Sequence, residues 1–398
     1  MKVTRRARLV VLLMSVILMS NVSRLIFSPL LVPIKDELGF SQSRAGSLFL
    51  IIALGYSPGM LFSGYLTARI RHRGTILCSL LFEAAGLLLA ALSGSFAVMA
   101  AGLVLVGIGS GVYPPSGNAS IAAVIRPERK GIALAIHEMG PNLGFLAAPL
   151  IVLALFDLVS WRGILLVLVC VNLCVAFIYA RQGFGGEAYG QTPQLHRLKA
   201  VLKLPEAWFI FLLECVGLCA LQGVFTILPM FLVTARNLDP DLVNKLISLS
   251  RVSCVLALIV SGALVNTVGV RTVIFAAFFI SGISTFFLGV TTGAALLVFI
   301  VVQPAFMAAF FPAATVILLS IGPRESQNVT FSFIISFAVL IANGIVPTFL
   351  GWLGDRGMLA AGFVGLAALI LLCAALVYRS KTLGRPTASP SRRISPSG

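Results

Sequence analysis

The chain has 398 residues, of which 59% are hydrophobic and only 11% are charged, and its mean hydropathy is +1.05. Because a soluble domain carries roughly 25% charged residues, this composition excludes a water-soluble enzyme and predicts an integral membrane protein. Although the net charge is +16, no basic face is interleaved with aromatic residues, so nucleic-acid binding is not expected. The seven cysteines follow no zinc or redox spacing, and neither a metal nor a cofactor is expected.

Unbroken apolar runs indicate spanning helices rather than a β-barrel, and each helix needs about 20 apolar residues. The first run follows basic residues but lacks a small-residue cleavage site, so it predicts a retained span. Twelve spans are predicted, at 9–34, 44–67, 75–93, 96–125, 130–156, 161–180, 206–234, 242–266, 271–290, 293–321, 326–353 and 358–378.

These segments predict an all-α membrane protein with twelve transmembrane helices in two pseudo-symmetric six-helix bundles. The N-terminal bundle is placed at 1–180 and the C-terminal bundle at 206–380. The segment 181–205, rich in glycine and with an amphipathic end, is predicted to be a cytoplasmic linker. The basic tail at 381–398 is rich in serine and proline and is predicted to be disordered.

The distribution of lysine and arginine predicts the orientation. With the N-terminus inside, cytoplasmic segments hold 21 of the 29 basic residues and external loops hold six. This bias predicts that both termini are cytoplasmic, and the excess charge suits anionic lipid headgroups. A bacterial inner membrane and a monomer are expected. The two basic residues left inside spans are Arg24 and Arg251.

An internal repeat supports the division into halves. Gly64 and Gly262, Pro114 and Pro312, and Pro149 and Pro347 each lie 198 residues apart, and Pro33 and Pro229 lie 196 apart. Two parallel halves with a substrate site at their interface are the plan of a secondary transporter.

The loop after the second span, Gly64-Tyr-Leu-Thr-Ala68-Arg69-Ile-Arg71-His72-Arg73-Gly74, resembles the signature loop of the major facilitator superfamily. Ala68 stands where the family has aspartate. The second half has a weaker match to the same pattern, at Gly262, Asn266 and Arg271. The resemblance covers 9–380 and implies a fold of this family. It also implies a cytoplasmic clamp formed by Gly64, Arg69, Arg71, Arg73, Gly262, Asn266 and Arg271. A drug-antiporter pattern in span five fails at Phe145.

A charge in the bilayer centre costs roughly 2.5–3.5 kcal/mol, so residues of this kind bind something or pair. Arg24 and Arg251 come from opposite halves, and each guanidinium can form a fork with one oxyanion. The alternative is that each pairs with a buried carboxylate. The polar residues expected to assist in substrate binding are Asn21, Asn118, His137, Gln222, Gln303, Asn343 and Tyr113.

Three residues are candidates for carrying a proton. His137 titrates nearest physiological pH, and Glu138 and Glu214 are carboxylates within apolar spans. His137 and Glu138 are adjacent, hence about 100° apart on the helix. For Glu83 in span three, the sequence leaves a structural and a functional role open.

The sequence thus predicts a secondary transporter, not an enzyme, that moves a small organic anion, for example a monocarboxylate, with protons. The single arginine in span eight resembles the monocarboxylate and oxalate branches of the superfamily. The alternatives are transport of nitrate, nitrite or another inorganic oxyanion, efflux of a drug or amphipath, and a non-transporting sensor.

Overall fold

The computed structural model describes residues 2–190, 203–318 and 327–380. In the first half, the helices are Lys2–Leu25, Leu31–Leu38, Gln42–Ala91, Phe96–Val124, Pro127–Leu155 and Trp161–Gln182. In the second half, they are Pro205–Leu218, Val224–Met230, Pro240–Val268, Val270–Val290, Ala294–Ala308, Phe310–Leu318, Gln327–Leu340, Val346–Gly354 and Leu359–Arg379. No β-strand occurs in these described ranges.

The 50-residue helix Gln42–Ala91 contains two spans that meet at a sharp bend. At the bend, Arg71 has φ 63° and ψ 167°, which no helical residue adopts. The helices before and after Arg71 are spans two and three. Among the described helices, ten are long and apolar enough to cross a membrane when this pair is taken as one. The division at Arg71 and the 29-residue helix Pro240–Val268, which carries charged residues, bring the number to twelve.

The predicted span boundaries that fall on described residues agree with the helices to within a few residues, except for span one. The predicted end of span ten at 321 and the predicted start of span eleven at 326 lie outside the described residues. The predicted first span continues to residue 34, through Pro33, but the helix ends at Leu25. Turns occupy residues 26–30, and a separate helix, Leu31–Leu38, carries Pro33. Proline is tolerated in the first turn of a helix because its missing N–H would have no partner there. Residues 191–202 of the predicted linker and the predicted tail at 381–398 lie outside the described residues.

Spans seven and eleven are each interrupted near mid-height by a π-helical turn, and span seven ends in a second one. Span seven contains Cys219–Gly223 and Phe231–Ala235, and span eleven contains Ile341–Ile345. A π turn leaves backbone carbonyls displaced from regular pairing, and such turns are frequent at functional sites. One of these carbonyls, Ala220 O, accepts a hydrogen bond of 2.8 Å from Gln303 Nε2 of span ten.

The two halves contact each other through spans two and eleven and through spans five and eight. At the end opposite the termini, the contact between spans two and eleven is tight. A Cβ on Gly46 would collide with Pro347 O, so only glycine permits this approach. The carboxylate of Asp355, just after span eleven, accepts from Gln42 N at 2.7 Å and from Ser43 N at 3.0 Å. A residue of one half therefore caps a helix of the other.

Candidate functional site

A cavity of about 520 Å³ lies between the halves. On spans four and eight, which run away from the end closed by Asp355, the lining residues lie from the middle of each helix toward its later part. The cavity therefore occupies the middle of the bundle and the part nearer the termini. The lining residues are Ile17, Asn21, Arg24, Tyr56, Met60, Pro114, Asn118, Glu138, Pro141, Asn142, Phe145, Leu218, Leu221, Gln222, Arg251, Cys254, Leu258, Ala308, Phe311, Ile335 and Val339.

Arg251 is the cation supplied by the second half. Its guanidinium carbon lies 4.5 Å from the ring centre of Phe225 and 5.3 Å from that of Phe145. The residue is 4% exposed, and its Nε has no hydrogen-bond partner among the described residues. The described ion pairs do not include Arg251. Two aromatic faces stabilise the cation without neutralising it, so its charge remains available to a ligand.

Arg24 is the cation supplied by the first half. It donates to Asn21 Oδ1 at 2.8 Å, and its guanidinium carbon lies 4.7 Å from the ring centre of Tyr56. Its Nε is also buried without a partner among the described residues. The alternative in which Arg24 and Arg251 each pair with a buried carboxylate is not seen in the described part of the chain.

Three further predicted site residues contribute to the cavity. Asn118 is exposed within it and has no hydrogen bond to another described residue. Gln222 lines it and accepts a 2.7 Å hydrogen bond from Asn343 Nδ2. Asn343 itself lines a smaller adjoining pocket that also contains Arg24 and Tyr56. With Arg24 and Arg251, these polar groups, all predicted from the sequence, are brought together by the tertiary structure from five spans.

Other predicted residues lie behind the cavity wall. Gln303 is 1% exposed and is engaged by Ala220 O and Ser281 Oγ. Tyr113 and His137 are fully buried in the first half, so neither side chain lines the cavity. For Gln303 and Tyr113, the structure does not support direct contact with substrate, because packing against neighbouring helices occupies their polar groups.

His137, Glu138 and Tyr113 form one hydrogen-bonded chain. His137 Nε2 lies 2.9 Å from Tyr113 Oη, and His137 Nδ1 lies 3.2 Å from Glu138 Oε1. The helical separation holds as expected, because the His137 side chain is fully buried and that of Glu138 is 58% exposed. The two side chains nevertheless contact each other through these atoms. Glu138 is the one carboxylate among the lining residues of the cavity.

The remaining buried carboxylates lie outside the cavity. Glu83 Oε1 accepts from Ser110 Oγ at 3.2 Å, and its Oε2 has no partner among the described residues. The hydroxyls of Ser20 and Ser23 face this carboxyl, and Arg24 is within electrostatic reach. Glu214 is 2% exposed, and its Oε2 also lacks a described partner. Glu214 is not among the residues that line the cavity with the two arginines.

The described contacts of the predicted clamp residues are with their own half or with the start of the connection between the halves. Arg71 lies with its guanidinium carbon 4.9 Å from the ring centre of Tyr189, and Arg73 donates to Ala180 O at 2.6 Å. Arg271 donates to the carbonyls of Val377, at 3.3 Å, and of Tyr378. Gly64 lies within the helix of span two, seven residues before the bend at Arg71, and Arg69 is exposed. Gly262 and Asn266 fall outside the residues whose packing is described.

The signature loop is held by the start of the connection between the halves. Arg73 N donates to Gly186 O at 2.8 Å, His72 N donates to Ala188 O at 3.3 Å, and Gly190 N donates to Thr67 O at 3.2 Å. From the sequence, this stretch is predicted only to link the two halves. Its pairing with the loop depends on tertiary contacts that no local pattern reveals.

A family model described as Major Facilitator Superfamily matches residues 13–253 and 210–396. The chain belongs to the major facilitator superfamily. Members of this superfamily are transporters, so the protein is a multi-pass membrane protein and a secondary transporter, not an enzyme.

Curated relatives match this superfamily member over about a third of their length. The putative uncharacterized transporter YgaY of Escherichia coli (strain K12) is 32% identical over 136 residues, 34% of each chain. The fosmidomycin resistance protein of the same strain is 29% identical over 118 residues, 30% of this chain and 29% of that one. The probable sulfoacetate transporter SauU of Cupriavidus necator is 23% identical over 147 residues, 37% of this chain and 34% of that one.

Solved structures share the fold of the whole chain. A bacterial homologue of the human lysosomal transporter Spinster, inward-facing and unoccupied, has a TM-score of 0.80 at 16% identity and covers 94% of this chain and 96% of its own. A POT family transporter in complex with 5-aminolevulinic acid has a TM-score of 0.77 at 13% identity and covers 93% of this chain and 95% of its own. At these identities, the likeness concerns the fold alone.

The sequence did not reveal the aromatic surroundings of Arg251. In the sequence, Phe145 stands out only as a break in an antiporter pattern, and Phe225 is one apolar residue among many. Their edge-to-face contact, with ring centres 4.9 Å apart, joins span five to span seven beneath the guanidinium. Only the spacing of Phe225 from the polar Gln222, one helical turn away, could have suggested that it lies near the cavity.

Proposed function

We propose that this transporter moves a small organic anion across the membrane by alternating access, coupled to protons. The observation that carries the proposal is that Arg24 and Arg251 line one cavity from opposite halves and that neither has a carboxylate partner in the described part of the chain. A carboxylate or similar oxyanion accepts bidentate hydrogen bonds from a guanidinium, and such charge-assisted bonds are the strong ones.

The composition of the cavity supports a solute that is both anionic and organic. Beside the two guanidiniums and amides, the wall is largely apolar, with Ile17, Met60 and Leu258 among its members. Apolar walls with a few convergent polar groups are typical of sites for small organic molecules. The relative named as a probable sulfoacetate transporter is consistent with an organic anion. The sequence expectation of a monocarboxylate is one member of this class.

A ligand bound by both arginines links the halves. Arg24 belongs to span one and Arg251 to span eight, so an anion that engages both favours the conformation in which the halves approach each other around it. With both termini in the cytoplasm, as the basic residues predict, the cavity faces the cytoplasm and the Asp355 contact closes the external side. Transport then requires that contact to open.

Proton coupling is proposed to act through Glu138, assisted by His137. Glu138 shares the cavity with both arginines, and its carboxylate contacts His137. When His137 and Glu138 together hold the proton, the pair has no net negative charge. The guanidiniums of Arg24 and Arg251 then remain available to bind the substrate. A deprotonated Glu138 competes with the substrate for them, so loss of the proton favours release.

Uptake into proteoliposomes tests the proposal. The panel contains radiolabelled lactate, pyruvate, oxalate, sulfoacetate, nitrate and an amino acid, each with and without an inward proton gradient. We expect an organic anion to accumulate and the gradient to increase its uptake. Arg251→Ala removes a charge-assisted bond of about 1.5–3 kcal/mol and should lower kcat/KM by roughly one to two orders of magnitude.

The matched control is Arg181→Ala, because Arg181 stacks on Phe177 at the end of span six and lies outside the cavity. This variant should transport like the wild type. Full transport by Arg251→Ala, or uptake of cations alone, would overturn the anion proposal. Preference for nitrate over every organic anion would replace it with the inorganic alternative.

A further inference from the structure

A chain of three polar contacts runs through the core of the first half and ends at the cavity. Tyr113 Oη lies 2.7 Å from Leu13 O of span one and 2.9 Å from His137 Nε2 of span five. His137 Nδ1 lies 3.2 Å from Glu138 Oε1. Tyr113 and His137 are fully buried, whereas Glu138 faces the cavity.

The positions of the protons in these three contacts follow from which atoms can donate a hydrogen bond. A backbone carbonyl can only accept, so the bond to Leu13 O uses the single phenolic proton of Tyr113. The contact between Tyr113 Oη and His137 Nε2 then needs a proton from the imidazole. His137 is therefore held with a hydrogen on Nε2, both as a neutral ring and as an imidazolium.

Fixing Nε2–H leaves Nδ1 as the one ring nitrogen that can gain or lose a proton. Its contact with Glu138 Oε1 requires one proton between the two atoms. When the carboxyl O–H bond breaks and the Nδ1–H bond forms, the products are a carboxylate and an imidazolium, with no change in total charge. When that proton leaves for the cavity, two lone pairs face each other at this position, so the contact is lost and Glu138 is released.

We propose that Tyr113 is a positioning residue that locks His137 in the Nε2–H form, so that the His137–Glu138 pair exchanges a single proton and only on its cavity side. The lock explains why a fully buried histidine is joined to an exposed carboxylate: the carboxylate is its route to water. The consequence for transport rests on the proposed proton coupling, whereas the lock itself rests on the hydrogen bonds.

Other ionisable groups lie near the chain without contacting the imidazole. Glu83 of span three and Tyr179 of span six are within electrostatic reach of Tyr113. Arg24 of span one and Glu138 both act on Tyr56 of span two. The described hydrogen bonds of the ring are those to Tyr113 and Glu138 alone.

Nitrogen NMR of the full-length protein, labelled with ¹⁵N-histidine and placed in lipid nanodiscs, tests the lock directly. The sequence has three histidines, so the His72→Gln and His196→Gln variants assign the His137 signals. In the wild type, we expect Nε2 to carry hydrogen throughout a pH titration and only Nδ1 to titrate. A neutral His137 with hydrogen on Nδ1 would overturn the proposal without the use of any Tyr113 variant.

Tyr113→Phe supplies the second measurement. Without the phenolic oxygen, neutral His137 should move to the Nδ1–H form, which can still donate to the Glu138 carboxylate. Tyr179→Phe is the matched control, because Tyr179 is a buried tyrosine of the same half that makes no described hydrogen bond to the imidazole. That variant should retain the wild-type spectrum. An unchanged spectrum in Tyr113→Phe would contradict the lock.

The transport readout separates the lock from the proposed function. Tyr113→Phe should lower the ratio of proton-driven uptake to substrate exchange about fivefold, whereas loss of a purely structural contact lowers both equally. An equal loss in both assays would overturn the assigned role of Tyr113 in coupling. If no anion of the panel is transported, the proposed function fails, yet the NMR spectra still decide whether the lock exists.

Discussion

At the scale of single residues, burial separates polar groups that bind from polar groups that hold the backbone. Asn118 is exposed within the cavity and has no described hydrogen bond, so its amide is free for a ligand. Gln303 has the same chemistry, but its Nε2 satisfies Ala220 O in a π-helical turn of span seven. A buried carbonyl without a donor costs about 1–3 kcal/mol.

This contrast gives opposite expectations for two amide-to-leucine variants. Gln303→Leu should lower the thermal stability of the purified protein and leave the KM of transport near the wild-type value, because it removes the donor to a buried carbonyl. Asn118→Leu should raise KM and leave the unfolding midpoint nearly unchanged. Thermal unfolding in detergent and uptake kinetics measure the two effects, and the reverse pattern would contradict this assignment.

At the scale of elements, the two halves differ in the helix cap that connects them at the end opposite the termini. Asp157 and Asp355 lie 198 residues apart, as do Gln42 and Pro240, so the repeat predicts two equivalent caps. Asp355 caps the helix that begins at Gln42. The equivalent helix begins with Pro240, which has no N–H, and Asp239 caps it from within the same half. Asp157 is exposed and accepts no described hydrogen bond from the start of that helix. Of the two positions related by the repeat, only that of Asp355 forms a cap between the halves in the described residues.

We expect Asp355→Ala to shift the protein toward the state that is open at this end. Loss of a helix cap costs about 0.5–2 kcal/mol, which is roughly a two- to thirtyfold change in population. Spin labels on cysteines introduced at the exposed positions Leu92 and Met358, in a background without native cysteines, report the distance between the halves by double electron–electron resonance. The longer distance should gain population in this variant.

The internal repeat supplies the control for this measurement. Asp157→Ala removes the same side chain at the equivalent position of the other half, where it makes no cap. Its distance distribution should match the wild type. Equal shifts in both variants would show that the effect arises from surface charge and not from the cap.

At the scale of the whole molecule, the distribution of basic residues and the position of the cavity together predict the side of the membrane to which the cavity opens. If the termini are cytoplasmic, as 21 of the 29 basic residues favour, the cavity is accessible from the cytoplasm and the Asp355 cap lies outside. The orientation thus decides which side releases the substrate in the conformation described.

Reporter fusions test the orientation. Green fluorescent protein fused after residue 380 should fluoresce, and alkaline phosphatase fused there should be inactive, because the former folds in the cytoplasm and the latter needs the oxidising outside. Alkaline phosphatase fused after Met358 should instead be active. The opposite pattern would invert the orientation and place the open cavity outside.

Much of the fold follows from the sequence alone. A membrane-spanning helix has to pair all its backbone groups internally, so length and hydropathy mark its limits almost without reference to its neighbours. For this reason, the limits of spans four to twelve that fall on described residues lie within a few residues of their predicted positions. Span one is the exception, because its end at Leu25 depends on turns that local apolarity does not signal.

The sequence also determined where to look for the site, because a charge inside a span is costly and therefore rare. That argument selected Arg24 and Arg251 out of 29 basic residues. It could not decide their surroundings. The contacts of Arg251 with the rings of Phe145 and Phe225 connect residues far apart in sequence. The same holds for the bond from Gln303 to Ala220 O and for the hydrogen bonds that lead from Leu13 to His137. Such contacts depend on how helices rotate and pack against each other, and the tertiary structure alone fixes that rotation.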